Sequence, residues 1–238
     1  MADWWRDMFE LPPWQSVQLG WDSLEDADHQ IERIVRAVAL EPGMRVLDVP
    51  CGTGRIGRRL AARGVDVVGV DITERFLQEA RAAGLSVERG DMRELRYDEE
   101  FDVALCLWGS FGYFDDEGNL AQARAACRSL RPGGRYLIDT VGAESLLANF
   151  RERDWFTAGD LAVLERRTYV VGTGRIETEW TFVRDDERVA QTTSVRAYTI
   201  PELTDLLREA GFATFTALDD ELEPYDVGSR RLWMIATR

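Results

Sequence analysis

The chain has 238 residues, 29 of them basic against 43 acidic, for a formal net charge of −14. A polyanion would be repelled on approach, which argues against nucleic acid and anionic membrane surfaces as partners. Apart from His29 every basic residue is an arginine, so phosphate loops and Schiff-base chemistry, both of which need lysine, are excluded. Three scattered cysteines with no C-x-x-C pair and a single histidine offer no metal-ligand spacing. The first residues hold no basic stretch followed by an apolar one, and no run approaches about 18 apolar residues, so a cytoplasmic protein is expected.

Residues 1–21 carry Trp4, Trp5, Phe9, Trp14 and Trp21 around a Pro12-Pro13 break. So aromatic a segment cannot bury itself; it is expected to dock on the body of the protein, either as plain packing or over a pocket. A helix is expected over 24–40, where Ile31, Ile34, Val35 and Val38 fall at helical spacing and His29 takes a surface or capping role. Pro42-Gly43 ends it. A buried strand over 45–49 then runs into a turn built on Gly52 and Gly54, followed by a helix over 56–63 whose N-terminal N–H groups face a ligand.

Gly52, Gly54 and Gly57 spell G-x-G-x-x-G, so a dinucleotide and S-adenosylmethionine (SAM) must both be weighed. Asp48, four residues before the first glycine, would repel a pyrophosphate but attract the ammonium and sulfonium of SAM. Asp71, at the end of the next apolar run, is placed to accept from ribose hydroxyls, which both cofactors have. Further strands are expected over 86–88, 103–107 and 135–139. Helices are expected over 73–83, capped by Thr73, and over 120–130. This alternation predicts a parallel, doubly wound sheet. The stretch 107–114 leaves a strand at the carboxyl edge, the natural floor of a substrate pocket. After Asp139 three extended runs, 161–171, 175–184 and 188–198, are joined by the turns 172–174 and 185–187, which predicts an antiparallel β insertion. A helix from Pro201 to Gly211 and strands over 212–218 and 231–237 close the chain.

The stretch 44–57, M-R-V-L-D-V-P-C-G-T-G-R-I-G, together with Asp71 resembles motif I and the following acidic position of the class I, Rossmann-like, SAM-dependent methyltransferases. Gly90-Asp91-Met92 resembles their adenine-binding loop. E-F-D-V-A-L-C-L at 100–107 resembles their fourth strand, and L-R-P-G-G-R-Y-L at 130–137 the turn into the fifth. Pro50 departs from the glycine usual there. The closing S-R-R-L-W-M-I-A-T-R resembles, more loosely, the final antiparallel strand of a subgroup of small-molecule methyltransferases that includes the amino-sugar N-methyltransferases.

The resemblance implies an α/β fold with a doubly wound, seven-stranded, mainly parallel sheet whose last strand is antiparallel, plus the β insertion. It divides the chain into an aromatic arm and helix over the pocket (1–40), a SAM-binding core (41–141), the insertion as lid or dimer contact (142–198) and a C-terminal completion of the sheet (199–238). SAM would be held by Asp48, Pro50, Cys51, Gly52, Thr53, Gly54, Asp71, Ile72, Asp91, Met92 and Leu107. A small-molecule acceptor would meet Trp108, Ser110, Phe111, Tyr113 and Arg196. Transfer would be an in-line displacement without metal, by a monomer or homodimer. Tyr113 and Asp139 are the candidate bases, each with a structural alternative: packing the acceptor for Tyr113, capping a turn for Asp139. An NAD(P)-dependent oxidoreductase and a SAM-binding protein without turnover are the competing readings.

Overall fold

The computed structural model describes residues 3–21 and 27–238. The expected helix start at Leu24 and the Trp21 side chain lie outside the described residues. In chain order the elements are α1 (Trp4–Glu10), α2 (Pro12–Trp21), α3 (Ala27–Ala37), β1 (Arg45–Asp48), α4 (Arg55–Ala61), β2 (Asp66–Asp71), α5 (Glu74–Ala82), β3 (Ser86–Arg89), β4 (Phe101–Cys106) and α6 (Asp116–Ser129). There follow β5 (Leu130–Thr140), α7 (Ala143–Ala148), β6 (Arg153–Ala158), β7 (Leu161–Val170), β8 (Arg175–Arg184), β9 (Glu187–Arg196), α8 (Ile200–Ala210), β10 (Thr214–Leu218) and β11 (Leu232–Thr237).

Seven strands form one sheet in the order β10-β11-β5-β4-β1-β2-β3, with β11 antiparallel to both neighbours and the other six strands parallel to one another. The chain order reverses between β1 and β4, and the crevice outside their carboxyl ends is where an open sheet of this kind binds ligands. Apolar layers cover both faces. On one side Ile31 and Ile34 of the amphipathic α3, with Val38 just past its end, all fully buried, pack with Val46, Leu60 and Leu105; Val35 is only partly buried there.

The insertion is a separate antiparallel sheet in the order β6-β7-β8-β9, one strand more than the three extended runs predict. β6 escapes a sequence reading because its inward positions are only half-buried and its outward ones include Arg153 and Trp155. α6 starts four residues earlier than expected because Asp115 caps it, accepting from Gly118 N at 2.8 Å. Thr73 does stand at the cap position of α5, but it makes no side-chain cap bond; its N–H donates to Asp71 Oδ1 at 2.8 Å instead.

The arm is helical. Trp4, Trp5 and Trp14 are all more than nine-tenths buried against the body, and indoles remove on the order of 200 Å² each from water. At about 25 cal/mol/Å² this is about 5 kcal/mol per ring before ordering costs, which is why so short a segment docks firmly.

Candidate active site at the carboxyl edge

One cavity of about 470 Å³ opens at the β1/β4 crevice and runs beneath the arm. At its inner end Asp48 and Asp71 face each other across the glycine turn. Asp71 Oδ2 accepts from Gly52 N at 2.9 Å while Oδ1 takes the Thr73 N–H, so this carboxylate ties the turn to the start of α5. Burial raises the Asp71 carboxyl above its ordinary value, partly offset by these bonds. Asp48 is 3% exposed and its Oδ2 has no hydrogen-bond partner. Burial, then the neighbouring Asp71, pushes its pKa up to about 7 against the opposing pull of Arg55.

Gly54 stands at φ 76°, and a Cβ there would lie 2.3 Å from the Leu85 side chain. It therefore shapes the turn without lining the cavity, whereas Pro50, Cys51, Gly52, Thr53, Ile72, Met92 and Leu107 all line it. The Cys51 thiol is pushed well up, by burial first and then by the two carboxylates; with its sulfur packed over Gly69 it is no nucleophile. Asp91 lines the cavity with both oxygens engaged by Arg93: Oδ1 by Nε at 3.0 Å and by the backbone N–H, Oδ2 by Nη2 at 2.6 Å. Burial alone would raise this carboxyl, but Arg93 holds it below its ordinary range.

The outer end is reached through 108–114. Trp108, at φ 60°, donates its N–H to Asp139 Oδ2 at 3.0 Å, and the Arg55 guanidinium lies 4.2 Å over its ring. Asp139 is 3% exposed and does not line the cavity; Oδ1 binds Arg231 Nε at 2.7 Å and its carbonyl accepts from Gly109 N. Both oxygens thus hold the ends of β4 and β5 and the arginine. Trp108, Ser110 and Tyr113 line the cavity. Phe111 instead points into the core against Tyr198, at 5.8 Å between rings. Tyr113 packs edge-on to Trp4 at 5.0 Å; burial pushes its hydroxyl up, an effect that Ser110 only partly offsets.

Arg196 also lies off the cavity. Its guanidinium is bonded to the Gly174 and Ala197 carbonyls and pairs with Glu202 at 2.7 Å. Its cross-strand neighbour Arg175, which the sequence did not single out, makes the more informative set of contacts. Arg175 donates to the carbonyls of Gly112, Tyr113 and Phe114 and to both the hydroxyl and carbonyl of Ser194. Asn119 adds bonds to Phe114 N and O and to Tyr198 OH. Gly112 at φ 101° lets the loop pass so close to β9 that its carbonyl takes the Arg196 N–H at 2.8 Å. Also unforeseen on the cavity wall are Trp180, Thr193 and Val195 of the insertion, Gln18 of the arm and Arg231. The only sequence trace of Arg231 was the S-R-R before the last strand.

These residues fit SAM. A buried carboxylate with one oxygen left unpartnered, beside a second carboxylate, suits a ligand that brings positive charge, and it would oppose a pyrophosphate on the same turn. No cluster of residues suited to a metal ion is found among the described residues, and no described helix is long and apolar enough to cross a membrane.

Comparison with known proteins agrees with the geometry. A family model described as a methyltransferase domain matches residues 46–134. YqeM of Bacillus subtilis (strain 168), which carries a methyltransferase name without a substrate, is 26% identical over 82% of this chain and 84% of its own. The ubiquinone biosynthesis O-methyltransferase of Dechloromonas aromatica (strain RCB) is 29% identical over 58% of this chain, which spans 57% of that protein. The SAM-bound amino pentose methyltransferase of calicheamicin biosynthesis from Micromonospora echinaspora superposes with a TM-score of 0.69 over 96% of this chain and 97% of its own, at 22% identity, and so shares the fold.

Proposed function

From the premise that this chain is a SAM-dependent methyltransferase with the class I, Rossmann-like fold, we propose that it methylates a small-molecule amine by in-line displacement. When bound, SAM supplies a methyl group on a sulfonium that leaves as a neutral thioether, so the protein has orientation to provide rather than acid catalysis. Asp48 would hold the positive charge, Asp71 the ribose hydroxyls, and the 90–92 loop the base. The arm, the 108–114 loop and the insertion would exclude water and aim the acceptor.

The observation that carries the choice of an amine is Asp139. Its two carboxylate oxygens are committed to Arg231 and to Trp108 N. Tyr113 keeps its proton at neutral pH because burial raises its hydroxyl, and His29 sits exposed on α3 away from the cavity. Among the described residues the acceptor wall therefore offers no free base for an alcohol, whereas a neutral amine attacks through its lone pair and sheds its proton afterwards.

The test is release of S-adenosylhomocysteine (SAH) from SAM with paired acceptors of one skeleton, amine against hydroxyl. Methylation of hydroxyl members in preference to their amines would overturn the reading. Absence of SAM binding would remove its premise.

A further inference from the structure

The acceptor end of the cavity differs in chemistry from the cofactor end. Its walls are rings brought from three parts of the chain: Trp14 meets Trp180 at 5.2 Å and Phe9 meets Tyr113 at 6.0 Å, beside the Trp4–Tyr113 contact. Polar side chains are few there. Thr193 already accepts from Trp180 Nε1 at 2.9 Å, which leaves Gln18, Ser110 and Arg231 beside the Tyr113 hydroxyl. A polyhydroxylated acceptor would leave hydroxyls without partners, each weakening binding by roughly tenfold. A flat apolar ring would fill the space.

Two basic side chains among the described residues line the cavity: Arg55, whose guanidinium lies over the Trp108 ring, and Arg231. Asp139 takes the Arg231 Nε at 2.7 Å, and Nη2 reaches both Asp139 Oδ1 at 2.7 Å and the Asp139 carbonyl at 3.3 Å. Nη1 makes no hydrogen bond to the described residues. This pair, with Asp139 buried and Arg231 partly so, fixes the guanidinium in one orientation, so its free donors would meet a ligand oxygen without further ordering.

We propose, resting on the amine-methyltransferase reading above, that the acceptor is a ring-bearing apolar molecule with an anionic oxygen group, and that Arg231 binds that group. The carboxylates of the cofactor end give such an acceptor a direction: its anion is held at Arg231, beside the start of β11 and three strands along the sheet from Asp48, and its ring lies along the tryptophan wall.

The test uses the full chain loaded with SAH and two probes, 4-aminophenylacetate and its neutral partner 4-aminophenylacetamide, titrated by calorimetry. The carboxylate is expected to bind at least about tenfold more tightly than the amide. Arg231→Gln should abolish that preference while amide and SAH affinities stay within about twofold. Because this variant leaves Asp139 buried and unpaired, the double variant Arg231→Gln with Asp139→Asn is measured beside it and should show the same loss of preference. Equal affinity of the two probes for the native chain, retention of the preference in either variant, or failure of both probes to bind the SAH-loaded protein would overturn this acceptor class. None of these touches the methyltransferase reading, which the SAH titration of the native chain tests separately.

Discussion

The end of the cavity proposed to hold the cofactor draws its residues from 48–56, 70–76, 90–92 and 107, the ends of neighbouring strands and the turns that follow them, whereas the proposed acceptor end draws on 4–18, 108–114, 180–195 and 231. The first is assembled by the register of parallel strands: Asp48 sits beside Gly69 and Leu105, so packing the apolar strands places its carboxylate. The second is assembled by polar clamps between distant segments, Arg175 to the 112–114 carbonyls, Asn119 to Tyr198, Arg231 to Asp139. Substitutions at the one end should therefore act on cofactor affinity, and at the other on turnover.

Asp48→Asn is expected to have the largest effect. It removes the charge that meets the cationic cofactor, and SAM affinity at pH 8 should fall about a hundredfold. The same substitution should raise the thermal midpoint of the cofactor-free protein at pH 8. In the folded chain this carboxyl holds its proton up to about pH 7, but in the unfolded chain it titrates near 3.8. The folded state thus binds more protons between those values, and stability falls as pH rises through them; asparagine removes that loss. By the same linkage native SAM affinity should strengthen as pH rises through about 7. Calorimetry and thermal melts from pH 5 to 9 check both, and a variant with unchanged SAM affinity would break the comparison at its strongest point.

Asp71→Ala should cost tenfold to a hundredfold in SAH affinity, because charge-assisted bonds of this kind are worth about 1.5–3 kcal/mol. Its bonds to Gly52 N and Thr73 N would go as well, so unaltered SAH binding would mean that the turn keeps its shape without them.

This division also explains what could be read in the sequence. Asp48, the glycine turn and Asp71 are legible because each follows an apolar run of strand length, and the physics that places them is local. Tyr113 and Ser110 are reached by following β4 past its end. The clamps are not legible: Arg175 is one arginine in a chain whose basic residues are nearly all arginine, and its partners in the 112–114 loop lie 61 to 63 residues away. Arg196, the arginine the sequence points to in this insertion, is paired opposite Arg175 in the β8–β9 ladder but turns toward Glu202. Nor could composition tell whether the arm's tryptophans merely pack or also wall a cavity; Trp4, Trp5 and Trp14 do both, being buried and on its lining.

Arg175→Met sharpens the contrast from the acceptor side. The three loop carbonyls lose their shared donor, burial having already lowered the arginine's own pKa, and the loop that carries Tyr113 loses its fixed position. Turnover should drop about tenfold, since displacement of reacting groups by about 1 Å is costly, while SAH affinity stays within about twofold. Single-turnover methyl transfer beside SAH titration separates the two, and parallel losses would place the loop in the cofactor site. A thermal melt run alongside separates loop displacement from general unfolding.

Tyr113→Phe should have the smallest effect, and its size decides what the residue does. A base at this position would contribute about 10² to 10⁴ to the rate, and its removal would delete one limb of the pH–rate profile. The Tyr113 hydroxyl, however, is pushed up by burial and stays protonated through neutral pH, and its ring is held edge-on by Trp4 and tilted against Phe9. Phenylalanine keeps that ring and its contacts, removing only a hydroxyl that interacts with Ser110. The expected loss is about threefold in single-turnover rate, the scale of one neutral hydrogen bond, with the pH profile and SAH affinity unaltered. A loss of a hundredfold with a missing pH limb would instead make Tyr113 the proton acceptor, and the acceptor end would then contain chemistry as well as shape.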